Sequence, residues 1–322
     1  VSATPVLAVL AGGLLTTVQD IRSRARFARF GVSAGGALDP RSAALANRLV
    51  GNPDDAALLE ITLAGPVLRL LRTTALGLAG ADLGMAVEGR PVAPGWSILA
   101  RQNETVSFGE QRAGARAYLA VAGGLAVPLV LGSRSTDLAG GFGGLDGRAL
   151  RAADTLAAFS IPDAPARAGR WADPERDLRR EVRVVPGPHR RLFPAGAYAA
   201  LLESDWQLAP EANRMGARLE GPRIVPRRAD VPSLGVPAGA IQVPGDGRPI
   251  VLLADRQPTG GYPVLAVVIA ADLPLLAQRA PGDRLRFSGT TIEDARRASV
   301  VPLPRPRVGL GWELARQAGA LT

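Results

Sequence analysis

Glycine and proline interrupt this chain so often that its apolar residues fall into short runs, and a sequence punctuated that way cannot sustain long helices. They number 38 and 27 and are scattered between the runs instead of gathered in one tract, which is the rhythm of a β-rich protein. Strands are predicted at residues 66–71, 74–79, 85–87, 105–108 and 116–121, with Glu88-Gly89 as a tight hairpin turn. One helix signal is clear. Asp39 occupies a capping position, Pro40 follows where no amide donor is needed, and Ala44, Leu45, Leu49 and Val50 recur at helical spacing before Gly51-Asn52 closes the segment. Further helices are predicted at 194–202, 292–298 and 311–318.

At roughly 150 residues per domain, 322 residues suggest two domains or one large one. Residues 162–180 are rich in proline, alanine and alternating charge, with Trp171 as their one large apolar residue. The expected division is an N-terminal lobe at 1–165, a connection at 166–180 and a C-terminal lobe at 181–322 that restarts with Val182-Arg183-Val184-Val185. The early apolar stretch, 6–15, is shorter than the ~20 residues that span a bilayer and lacks a basic flank. A cytoplasmic location is therefore expected, and the absence of cysteine points the same way.

All 38 basic side chains are arginine; there is no lysine, no cysteine and one histidine. A lysine Schiff base, a Walker lysine, a biotinylated lysine, a thiol nucleophile and a thiolate metal site are thereby excluded. A single histidine cannot build a multi-histidine site, so any bound metal would need carboxylate and carbonyl ligands, as magnesium and calcium do; no metal-ligating residue is singled out. The net charge of +9 gathers loosely at Arg22, Arg24, Arg26 and Arg29, at Arg176, Arg179, Arg180 and Arg183, and at Arg223, Arg227 and Arg228. With only four Trp, three Tyr and seven Phe there is little for bases to stack on, which weighs against nucleic acid. The clusters read as solvated surface, or as contacts to an acidic partner protein.

Two segments carry chemistry. Gly132-Ser133-Arg134-Ser135-Thr136-Asp137 runs into Gly140-Gly141-Phe142-Gly143-Gly144-Leu145-Asp146-Gly147, where glycines permit close backbone approach to an anion and Arg134 supplies charge; the alternative is a set of bulges and turns. Further on, a buried strand ends at Asp255-Arg256 and is followed by Gln257-Pro258-Thr259-Gly260-Gly261-Tyr262-Pro263, a polar loop suited to a pocket; the alternative is an internal Asp–Arg pair that pins the loop. His189, between Pro186-Gly187-Pro188 and Arg190-Arg191, reads as an exposed turn.

Thr16-Thr17-Val18-Gln19-Asp20, Gly36-Ala37-Leu38-Asp39-Pro40, Ala46-Asn47-Arg48-Leu49-Val50-Gly51-Asn52, Leu59-Glu60-Ile61-Thr62, Gly80-Ala81-Asp82-Leu83, Leu131-Gly132-Ser133-Arg134-Ser135-Thr136, Asn213-Arg214-Met215-Gly216 and Leu219-Glu220-Gly221-Pro222 occur in order along the chain. Together with the segments at 239–244 and 255–263, they resemble the biotin-dependent carboxyltransferase-like family, which includes a subunit of 5-oxoprolinase, allophanate hydrolase subunit 2 and half of the urea carboxylase carboxyltransferase domain. The resemblance implies a mainly β fold with a few helices (α+β), in two cyclophilin-like β-barrel lobes. It further implies a hetero-oligomer with a smaller sister subunit of related fold, and with a third subunit in 5-oxoprolinases. The implied activity is ATP-dependent hydrolysis of 5-oxoproline or a related small amide, with ATP bound mainly by a partner subunit. Carboxyl transfer with biotin carried on another chain is the alternative, and a non-catalytic regulator of the sister subunit is a third reading.

Carried over by motif, the catalytic candidates are Asp255, Arg256 and Arg134, and the substrate-binding candidates are Asp39, Asn47, Gln242, Thr259, Gly261 and Tyr262. In this reading Arg256 or Arg134 meets an anionic substrate oxygen, Asp255 transfers a proton or orients Arg256, and Tyr262 walls the pocket. The chain also departs from the family pattern. Alternating arginines at 22–26 replace a Gly-Arg-Pro-Gly-like turn, Gly35 and Leu234 replace a serine and an acid, Arg190-Arg191 stand where an acid is common, and Val264 replaces a frequent lysine.

Overall fold

A computed structural model describes residues 2–159, 168–172, 181–299 and 305–308. The chain divides into two compact units: Val1–Ser23 with Gly35–Arg176 and Leu303–Thr322, and Arg24–Ala34 with Asp177–Pro302. Both are mainly β, as the glycine and proline rhythm implies.

The first unit holds two sheets. A six-stranded sheet runs in the order Thr155–Phe159, Ala3–Ala11, Val67–Leu70, Thr105–Ser107, Ala86–Val87 and Arg90–Pro91. A seven-stranded sheet runs Leu15–Gln19, Leu58–Thr62, Ala113–Val121, Thr74–Asp82, Trp96–Ala100, Arg170–Trp171 and Arg307–Val308. The early apolar stretch thus folds as two strands, broken at Gly12-Gly13. Gly13 has φ +73°, and a Cβ there would lie 2.6 Å from the Ala64 carbonyl oxygen, so glycine is required.

One core cluster joins Leu7, Leu68 and Val106 of the first sheet to Leu59, Leu76 and Leu119 of the second. A separate cluster joins Ala75, Ala79, Tyr118 and Ala120, on the opposite face of the second sheet, to Ala43, Ala46 and Leu49 of a helix. That helix, α1, spans Pro40–Leu49, and the Asp39 carboxylate accepts hydrogen bonds from the Ser42 amide (3.0 Å) and hydroxyl (2.6 Å), as its capping position demands. Strands covered on both faces read as nearly continuous apolar sequence, without the alternation of a half-exposed strand. The helix side of Thr74–Asp82 is lined by Ala75, Gly77 and Ala79, small residues that let the helix backbone come close.

The second unit contains a closed barrel ordered Glu181–Pro186, Val264–Val268, Ala240–Gln242, Ile250–Leu252, Gly216–Glu220, Trp206–Leu208 and Arg284–Gly289. It closes through a parallel pairing that matches Glu181 with Arg286 and Val184 with Gly289. Trp206 is fully buried, and its indole nitrogen donates to the Leu201 carbonyl at 2.9 Å, which removes the cost of hiding that donor. The helix predicted at 194–202 begins later, as Ala197–Glu203, because Gly196 adopts φ +85° immediately before it. The helix Ile292–Ala298 lies where it is predicted, whereas 311–318 falls outside the described residues. Unanticipated elements include the three-ten turn Ala25–Phe30 and the short helix Leu273–Ala277. Among the described residues, no helix is long and apolar enough to cross a membrane.

Gly77 gives a direct test of the helix-on-sheet packing. A Cβ there would sit 2.5 Å from the Ala46 carbonyl oxygen and 3.1 Å from Leu49 Cβ. Gly77→Ala is expected to destabilise the chain by about 1–3 kcal/mol through overpacking, although alanine is normally the better residue inside a strand by roughly 0.5–1 kcal/mol. Urea denaturation reads this as a lowered midpoint; an unchanged or raised midpoint contradicts it.

Candidate functional site

In the second unit, the barrel strands Ala240–Gln242 and Val264–Val268 are antiparallel neighbours with Gln242 opposite Val264. The loop that returns to the second of these strands carries a short strand, Thr259–Gly260, paired with Leu234–Gly235. This loop, or flap, carries Asp255, Arg256, Thr259, Gly261 and Tyr262, and it meets Gln242 at Gly260 and Tyr262. Gln242 is buried; its Nε2 reaches the Tyr262 carbonyl only at 3.4 Å, and among the described residues its Oε1 has no hydrogen-bond partner. A Cβ on Gly260 would lie 2.6 Å from Gln242 Nε2, so glycine lets the flap pass directly over the amide. Thr259 and Tyr262 are exposed and Gly261 partly buried, with the Gly261 carbonyl held by the Val231 amide at 2.8 Å.

Asp255 does not pair with Arg256. Its two oxygens accept from Arg214 Nε at 2.7 Å and Nη2 at 2.9 Å, and both partners are buried. This bidentate fork joins residues 41 positions apart, and the Asp255 amide donates to the Arg214 carbonyl at 3.0 Å. Arg214 lies in one of the family motifs, but the sequence offers no local cue to a pair so distant.

Arg256 is tied down by neutral groups. Its Nε donates to the Val236 carbonyl at 2.9 Å and its Nη1 to the Leu253 carbonyl at 3.2 Å. Among the described residues it has no carboxylate partner, and Nη2 has no acceptor. Burial lowers its pKa, which is what desolvation does to a cation without a counter-ion. The guanidinium remains charged at neutral pH and keeps donor capacity that these two carbonyls do not use.

The remaining candidates lie in the first unit, where their polar atoms are engaged in local structure. Asp39 caps α1, and its amide donates to the Tyr118 hydroxyl at 2.8 Å, which in turn donates to the buried Glu60 carboxylate at 2.9 Å. Burial first, then the charges of Glu60 and Asp39, push the Tyr118 phenol well above its ordinary range, so it stays a neutral donor. Asn47 donates to the carbonyls of Asp54 and Ala56 at 3.2 and 2.8 Å and accepts from Asn52 at 3.1 Å, closing the turn after the helix. Arg134 donates from Nε to the Val127 carbonyl at 2.9 Å, lies 5.6 Å over the Phe159 ring, and gives its amide to Asp20 at 2.6 Å.

Asp20 is a hub that sequence reasoning misses. Fully buried, it accepts from the hydroxyls of Ser133 and Ser135, each at 2.7 Å, as well as from the Arg134 amide. The glycine-rich segment after it does not fit a phosphate. The amides of Gly140, Gly141 and Phe142 all donate to Asp137, that of Gly144 to the Arg134 carbonyl, and that of Gly147 to the Gly143 carbonyl. Amides turned inward in this way are not free to cradle a nucleotide. His189 accepts the Val264 amide on Nδ1 at 3.0 Å. Among the described residues, no group of three or more His, Asp or Glu side chains is placed to hold a metal.

Residues 30–289 match the carboxyltransferase domain, subdomain A and B. The chain is 38% identical to one of the 5-oxoprolinase subunits of Escherichia coli K12 over 300 residues, 91% of this chain and 94% of that one. The crystal structure of TTHA0988 is 40% identical with a TM-score of 0.81, and the match covers 88% of this chain and 55% of that one. The Kluyveromyces lactis urea carboxylase structure is 31% identical with a TM-score of 0.83, over 90% of this chain and 28% of that one. The chain therefore spans nearly all of the bacterial 5-oxoprolinase subunit, about half of the TTHA0988 chain and little more than a quarter of the urea carboxylase.

The Arg214–Asp255 fork yields a stability prediction. Arg214→Met strands a buried carboxylate and is expected to cost about 3–5 kcal/mol. Adding Asp255→Leu removes the stranded charge, so the double variant is expected to recover most of that loss in urea denaturation. A double variant at the sum of the two single losses contradicts a pair that acts as one unit.

Proposed function

The chain belongs to the carboxyltransferase domain family, subdomain A and B, and from that membership we propose that it is a subunit of a multi-protein, ATP-dependent amidohydrolase acting on 5-oxoproline or a related small amide. The observation that carries this reading is Arg256: a partly buried cation with no carboxylate partner among the described residues, fixed by two carbonyls beside the flap that crosses the Gln242 amide. Attack on an amide carbonyl moves negative charge onto its oxygen, and a pre-positioned guanidinium in a water-poor site stabilises that charge without reorganising. The Gln242 Oε1 is suited to accept a substrate N–H, and Tyr262 to form the pocket wall with Thr259 and Gly261. Asp255, with both oxygens on Arg214, serves in this reading to hold the loop in place and not to orient Arg256.

ATP is assigned to a partner subunit, because the glycine-rich segment here turns its amides inward and the chain has no lysine. Carboxyl transfer is the second reading, favoured by the TM-score of 0.83 to urea carboxylase; biotin would then arrive on another chain, and the same Arg256 would hold the carboxyl oxygens.

The deciding experiment follows ADP release by the complete complex with and without 5-oxoproline. Substrate-dependent release is expected, and release indifferent to 5-oxoproline removes the amidohydrolase reading. Within an active complex, Arg256→Met is expected to lower kcat by roughly 10²–10³, the range for losing one oxyanion donor. Asp255→Asn is expected to lower activity in proportion to the loss of folded protein; a loss of turnover at full folded yield instead restores a proton-transfer role for Asp255.

A further inference from the structure

The three-ten turn Ala25–Phe30 reads Ala-Arg-Phe-Ala-Arg-Phe and ends at Gly31 with φ +81°. Each of its arginines rests on the ring that follows it, Arg26 at 4.9 Å from the Phe27 centroid and Arg29 at 4.7 Å from that of Phe30. Phe30 is 67% exposed, more than any other large hydrophobic among the described residues. A chain with only seven phenylalanines thus leaves one of them in solvent, under a cation. Neither Arg26 nor Arg29 has an ion-pair partner among the described residues, whereas neighbouring Arg22 is neutralised by Asp55 at 2.6 Å. No atom lies within 4 Å of where a Cβ on Gly31 would sit, so the ridge is open at its end. Residues 22–26, which run into this turn, are where the chain departs from the glycine-bearing turn of the family it resembles.

We infer that the Arg26-Phe27-Arg29-Phe30 ridge is a docking surface for an acidic face of the sister subunit, one that offers carboxylates to the two guanidinium groups and an apolar pocket to Phe30. The inference rests on the multi-subunit reading above. Arginine and aromatic side chains are the residues enriched at the energetic centres of protein interfaces. Stacking on a ring orients the guanidinium while leaving its edge free for a bidentate carboxylate. The size of the patch separates this partner from other anions. Anionic membranes are recognised by clusters of about four to eight basic residues, and salt-dependent DNA binding by about six to ten phosphate contacts. Two cations and one protruding ring are too few for either, and sufficient for an interface hot spot.

The test is calorimetric titration of the full chain with the separately purified sister subunit at low and high salt. Two variants are compared with the wild type: Arg26→Glu with Arg29→Glu, and Phe30→Ser. Because these side chains are exposed, both variants are expected to melt like the wild type. Each is expected to weaken binding at least about tenfold, as hot-spot truncations do, and the charge-reversed protein to lose most of the salt dependence. Wild-type affinity in both variants, with the wild type binding well, overturns the docking surface alone. A wild-type chain that does not bind the sister subunit at all overturns the multi-subunit reading as well. If the variants keep full affinity for the sister subunit but lose a binding to phosphatidylserine vesicles that the wild type shows, the ridge belongs to a membrane and the inference is overturned.

Discussion

Burying a carboxylate costs several kcal/mol unless its oxygens find donors, and the long loops of this chain are organised around carboxylates that have found them. Asp20 gathers two serine hydroxyls and the Arg134 amide from more than a hundred positions away. Asp272 takes both a guanidinium fork and an amide from Arg183, and Asp255 takes the fork of Arg214. Glu60 receives the Tyr118 phenol and the Leu38 amide. The Asp20 group, and the Leu38 amide on Glu60, join segments that the strand pairing alone leaves independent, whereas Tyr118 lies directly across the strand pair from Glu60. Arg256 differs from Arg214 and Arg183 in having no carboxylate among the described residues; two backbone carbonyls hold it instead.

The glycines divide into two kinds by what surrounds them. Gly77 and Gly260 are places where another group comes too close for a Cβ, the helix backbone in one case and the Gln242 amide in the other. Those at 140–147 mostly fold a segment onto its own amides. Only surroundings distinguish a glycine that admits a neighbour from one that makes a turn, so the glycine-rich segment is the more conspicuous in sequence and the less available for binding in structure.

The helix at Asp39-Pro40 is legible because its signals are local: a cap, a proline and a periodic apolar face within a dozen positions. The β-rich class is legible from the same kind of short-range punctuation, and the family from motifs preserved in order. The early strand pair is not, because Val6 to Leu15 looks continuous until Gly12 and Gly13 are known to turn. Arg214 is not, because its partner lies 41 residues away and neither residue differs locally from many other Arg and Asp positions. For the same reason Asp39 and Asn47 draw attention as polar residues in specific motifs, whereas their neighbours in space show them capping a helix and closing a turn.

On the proposed function, Arg256 is an anion ligand in the loop it shares with Tyr262. The most direct measurement is a crystal structure of the complete complex with 5-oxoproline bound. The expected result is a substrate oxygen within hydrogen-bond distance of the Arg256 guanidinium, with Gln242 facing the lactam N–H. Substrate seated elsewhere, with Arg256 still bonded only to the Val236 and Leu253 carbonyls, would contradict it.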